Sequence, residues 1–200
     1  LTYLPLLLAA LWLSGCAAVT AVSVVPGALV GAIANQFHGE EKSFPRNVST
    51  TLAAVQSSLR SIKLDVDVLE IENKGYTIAF GNENLDGEIT LTEMTPRLTA
   101  INVKVRGNMR EESVEQAIVK LIQAKLDRMN TKQSFSFSGY HNLRVKPDLQ
   151  AAKLGWYRKS ANLDAYRKGK SDWLKLKLPS GKTAYLKDSI VKEQAVAQYK

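Results

Sequence analysis

Between residues 64 and 105, apolar side chains return at every second position, stretch after stretch. "LDVDV" sets Leu64, Val66 and Val68 against Asp65 and Asp67. "YTIAF" aligns Tyr76, Ile78 and Phe80, "EITLTEM" aligns Ile89 and Leu91, and "INVKV" aligns Ile101, Val103 and Val105. A period of two belongs to strands with one buried face. Asn73-Lys74-Gly75, Asp86-Gly87 and Thr95-Pro96 punctuate them as turns. The sequence therefore predicts an antiparallel meander, with Asp65 and Asp67 on its solvated face.

Helical periodicity brackets these strands. Val48, Leu52, Val55, Leu59 and Ile62 form one stripe, with Pro45 placed in the first turn. Val114, Ile118, Leu121 and Ile122 form a second, with Asn108 and Glu111 as its capping pair. Acidic Glu111, Glu112 and Glu115 lie early and basic Lys120, Lys125 and Arg128 late, as the helix dipole favours. The order αββββα, with both helices on one sheet face, buries both stripes. This is an α+β domain over residues 40–130.

Charge divides the chain. Residues 40–130 hold 12 Lys and Arg against 14 Asp and Glu, whereas residues 131–200 hold 15 against 5. The whole excess of +8 therefore belongs to the C-terminal part and points to an anionic partner or surface. The polar stretch "MNTKQSFSFSG" (129–139) reads as a linker or edge strand. Beyond it, Leu174, Leu176 and Leu178 alternate with Trp173, Lys175 and Lys177, Pro179-Ser180-Gly181 turns the chain, and Thr183–Leu186 returns.

The N-terminus addresses the protein. Residues 1–15, "LTYLPLLLAALWLSG", carry no charge and have the length of a signal-peptide core, short of the about 20 residues of a membrane span. A basic leader is expected upstream of them. Leu13-Ser14-Gly15-Cys16 resembles a bacterial lipobox. Ser14 and Gly15 suit a narrow peptidase cleft. The lone Cys16 offers a thiol for a diacylglyceryl group and, after cleavage, an amine for a further acyl chain. Two or three chains hold a protein on a bilayer, where one binds only reversibly. Residues 1–15 are thus expected to be a signal peptide, and 16–39 a lipidated cysteine with a small-residue tether. The tether holds Gly27-x-x-x-Gly31, a helix-contact pattern in bilayers, but Pro26 interrupts a helix there. Ala17 in place of Asp resembles the outer-membrane sorting default, which implies the periplasmic face of the bacterial outer membrane.

Two further resemblances follow. The lipobox, the tether, Phe44-Pro45 and the strand ending "VKVRG" (103–107) resemble an uncharacterised family of small α+β lipoproteins, over roughly residues 1–128. Asn142-Leu143-Arg144-x-x-Pro147, Asp172-Trp173-Leu174-Lys175-Leu176 and Gly181–Leu186 resemble a bacterial SH3-like domain, over roughly residues 134–191. Where such a domain has Gly-Trp, this chain has Ala184-Tyr185. The resemblance implies a small all-β barrel over 131–200 that binds cell-wall peptides or partner proteins.

Catalytic chemistry is not in evidence. His38 and His141 stand apart, no His/Cys spacing fits a metal site, and no nucleophile motif occurs. No catalytic residue, metal or cofactor is assigned, and His141 reads as a turn residue. The remaining lead is a basic aromatic cluster: Trp156, Tyr157, Trp173, Tyr185, Lys168 and Lys170 are the candidates for a ligand groove. Nucleic acid would suit such a surface, but export removes it from reach. The expected function is a lipid-anchored envelope protein that tethers or scaffolds, binding peptidoglycan or wall peptides through its basic C-terminal part. The alternative is an accessory lipoprotein subunit of an envelope protein complex.

Overall fold

The structure, a computed structural model, describes residues 39–130, 133–161, 165–167 and 171–187. Leu13–Cys16, the tether, Lys168 and Lys170 lie outside the described residues. Among the described residues, ten strands and two helices form: β1 (Glu40–Phe44), α1 (Val48–Ser61), β2 (Asp65–Glu72), β3 (Gly75–Gly81), β4 (Asp86–Thr95), β5 (Leu98–Arg106), α2 (Glu112–Arg128), β6 (Tyr140–Arg144), β7 (Lys153–Arg158), β8 (Ala165–Arg167), β9 (Trp173–Lys177) and β10 (Thr183–Lys187). They build one open antiparallel sheet in the order β1-β5-β4-β3-β2-β7-β6-β10-β9-β8.

This corrects the expected fold class of αββββα followed by a small closed SH3-like barrel. A strand precedes the first helix, since Glu40–Phe44 pairs along β5 with Phe44 opposite Thr99. Only Phe44 of that strand is buried, so its sequence shows no alternation to read. The last five strands do not close on themselves. They extend the meander's own sheet, because β7 pairs with β2 through Val68–Tyr157, Leu69–Trp156 and Glu70–Gly155. Gly155 permits this join: a Cβ there would stand 2.2 Å from the Leu69 carbonyl oxygen.

Local signals explain the helices, though not always through the expected residues. Asn47 caps α1, its side chain accepting from the Thr50 amide at 2.8 Å, and Pro45 lies outside the first turn. The helix stops where Lys63 takes a positive φ of 61° and the Leu64 amide returns to the Leu59 carbonyl. Glu111, not Asn108, occupies the N-cap of α2, without a side-chain cap bond. Its first turn is held instead by buried Glu115, which accepts from the Val105 amide at 3.0 Å and pairs with Arg110.

Two cores result. The first lies between the helices and one face of the meander. Leu52, Val55, Leu59, Ile118, Ile122 and Leu126 pack there on Ile78, Ile89, Leu91, Ile101, Val103 and Val105. The second gathers Leu143, Tyr157, Leu174, Leu176, Ala184 and Leu186 from the added strands around Val68. Val68 therefore does not share a face with Leu64 and Val66. An irregularity in the β2–β3 register between Val66 and Val68 shifts the phase of the strand. The stretch expected to be a linker is tied down as well. Phe135 is buried in the first core, and the Gln56 side-chain amide exchanges two hydrogen bonds with the Ser136 backbone, at 2.9 and 2.8 Å.

One buried carboxylate joins the turn after β9 to the meander. Glu70 has no exposed surface and accepts from the Ser180 amide, the Ser180 hydroxyl and the Lys182 ammonium. Lys182 also reaches Glu72, and these carboxylates, Glu72 foremost, raise its pKa above the usual lysine value. Removing one partner of a buried charge leaves the other uncompensated, so this contact ties the two halves of the sheet firmly.

Candidate functional site

The added strands alternate, with one register irregularity between Leu143 and Arg144 in the pairing of β6 with β7. Leu143, Leu174, Leu176, Ala184 and Leu186 point into the second core, so the residues between them point out. Register decides which of these become neighbours. Lys153 stands opposite Arg144, Arg144 opposite Tyr185, Tyr185 opposite Lys175, and Lys175 opposite Tyr166. One row of cations and rings thus crosses all five strands, and it holds no carboxylate. Directly opposed side chains on one face interact, and like charges so placed, as at Lys153 and Arg144, cost stability.

The row has some internal order. The Lys175 ammonium lies 5.4 Å from the centre of the Tyr166 ring. Tyr166 above all, with a lesser part from Tyr185, raises the Lys175 pKa above the usual lysine value. The Arg144 guanidinium donates to the Ala151 carbonyl at 2.6 Å, which fixes its direction. At the far end the Lys153 ammonium sits 4.8 Å from the Trp156 ring. Trp156 in turn stacks at 4.6 Å on Phe137, which is 43% exposed. Beside the row, Trp173 stands opposite Lys187.

The structure thus brings together three of the candidates read from the sequence. Trp173 and Tyr185 share this outer face, and Trp156 meets its end through Lys153. Tyr157 is separated from them. It is buried in the second core, and its hydroxyl donates to the Ala161 carbonyl. Arg144, Lys153 and Lys175 were missed. Their signal is faint in the sequence, because each belongs to the row only through partners on other strands.

Elsewhere several polar side chains are structural. Asp65 and Asp67 are not simply solvated: Arg158 reaches both, and burial, partly offset by that guanidinium, raises the Asp67 pKa. His141 lies in β6 rather than in a turn, with Nε2 buried and unpartnered, and burial lowers its pKa. A small cleft of about 270 Å³ lies between the C-terminal turns of the helices, lined by Ser58, Ser61, Lys125 and Arg128. Among the described residues no group of three or more His, Cys, Asp or Glu could hold a metal ion. Among them, too, no helix is long and apolar enough to cross a membrane.

Comparison with known protein families and with curated proteins finds no match to this chain.

Proposed function

We propose that the protein is a lipid-anchored tether of the bacterial cell envelope that grips peptidoglycan through the outer face of its C-terminal strands. The observation that carries this reading is the row Lys153–Arg144–Tyr185–Lys175–Tyr166. Cations opposed without a carboxylate among them gain from an anionic partner that spans several strands. Interleaved rings offer faces on which sugar or peptide can pack, and aromatic side chains bring large contact area at small entropic cost. The anchoring half of the proposal rests on Leu13-Ser14-Gly15-Cys16.

The test is co-sedimentation of the detergent-solubilised protein with purified peptidoglycan at two salt concentrations. Attraction between exposed charges alone fades toward physiological salt, where the Debye length is about 8 Å. Lys175→Gln should weaken binding mainly at low salt. Tyr185→Ala should weaken it at both, with an unchanged melting transition showing that the fold survives. Absence of co-sedimentation at low salt would remove the wall from consideration and favour a subunit role in an envelope protein complex.

A further inference from the structure

On the face of the meander opposite the helices lies a cleft of about 730 Å³. That volume falls within the range of small-ligand sites, roughly 300–1,000 Å³. Its floor is the outer face of β2 to β5. Its far wall comes from the added strands, through Tyr166, Lys177, Leu178 and Pro179. The cleft exists because the sheet curls over itself, and no single strand encodes it.

Its charge pattern is unlike that of the row. Glu88 stands opposite Lys104 and Asp86 opposite Arg106, so carboxylates line β4 and cations line β5. Antiparallel partners of this kind have Cα atoms about 4.5–5.5 Å apart. Yet neither pair closes to an ion pair, and none of the four side chains has a charged partner among the described residues. Beside them the cleft is apolar, with Val68, Ala79 and Leu178.

Three ligand classes fit badly. A polyanion meets Asp86 and Glu88, and a polycation meets Lys104 and Arg106. A wholly apolar ligand would desolvate four charges without replacing their water. The geometry points to a short zwitterionic peptide, its ammonium on the carboxylates of β4, its carboxylate on the cations of β5, and an apolar side chain against Ala79 and Leu178. A free tripeptide, at most about 3.6 Å per residue, has termini far enough apart to reach a carboxylate on β4 and a cation diagonally across on β5, about 7–8 Å away between Cα atoms. This site shares Tyr166 with the proposed wall-binding row, but its opposed charges lie on β4 and β5, outside that row.

The probe is the free tripeptide Ala-Leu-Ala, titrated into the detergent-solubilised full chain by calorimetry. Its N-acetylated form lacks the ammonium, and its C-terminal amide lacks the carboxylate. The free peptide should bind at least about tenfold more tightly than either capped form, a difference of about 1.4 kcal/mol. In the Asp86→Asn, Glu88→Gln double variant, the gap between free and acetylated peptide should close. In Lys104→Gln, Arg106→Gln, the gap between free and amidated peptide should close. Lys120→Gln, at an exposed position of α2 on the helix side of the sheet, should keep both gaps. Equal binding of the three peptides to the unaltered protein, or no binding at about 1 mM, would overturn the inference whatever the variants do. So would gaps that persist in both double variants.

Discussion

Tyr157 shows how much one position along a strand decides. Its neighbour Trp156 faces the first core and the outer row, while Tyr157 is sealed in the second core with its hydroxyl on the Ala161 carbonyl. Burial pushes its pKa above the usual 10.0. The folded protein therefore holds this proton more tightly than the unfolded chain. The stability that follows is complete below about pH 10 and is lost as pH rises through the higher folded value. Tyr157→Phe should lower stability at neutral pH by about 1 kcal/mol, the worth of a buried hydrogen bond. It should also flatten the fall in urea midpoint above pH 10. Tyr140, raised for the same reason and bonded to the Val66 carbonyl, retains part of that fall. Superimposable alkaline profiles for the two proteins would show that Tyr157 is not a source of it.

At the scale of elements, the join between β2 and β7 matters most. β2 serves both cores, Val66 and Leu69 on the helix side and Val68 on the other, because its register shifts between Val66 and Val68. β7 answers with Trp156 on one side and Tyr157 on the other, and Gly155 brings the two backbones together. Gly155→Val should therefore cost about 1–3 kcal/mol, as overpacking of a close contact does. Hydrogen exchange should quicken at the amides of β2 and β7 before those of β4 and β5. An unchanged urea midpoint would mean that the strands can separate without penalty. The helices were legible as apolar stripes, but their ends were less so. The start of α2 is held by Glu115, a residue inside the helix that reaches back to β5.

For the whole molecule, charge and architecture meet. The basic excess read from residues 131–200 becomes an ordered row only because five strands align. The mixed-charge cleft forms only where those strands curl against the meander. A tether needs an anchor at one end and a grip at the other. Cys16→Ala should abolish incorporation of labelled fatty acid and move the processed protein from the membrane fraction to the soluble one. If variant and parent label and fractionate alike, the lipobox reading fails and residues 17–37 become the candidate anchor.

By itself the sequence determined the period of both helices and of β3, β4, β5 and β9, the concentration of positive charge toward the C-terminus, and a lipobox-like stretch. These are local properties, carried by residues within a few positions of one another. Tertiary structure alone decided that Glu40–Phe44 is a strand, since its pairing with β5 lies some 60 residues away in the chain. It alone decided that the C-terminal strands extend one sheet instead of closing a barrel. The row depended on it too. Arg144 and Tyr185 are neighbours by register, and no spacing within either strand announces that. Alternation says which side chains share a face of one strand. Which strands lie side by side is settled by long-range backbone pairing and by where two apolar faces can both be buried.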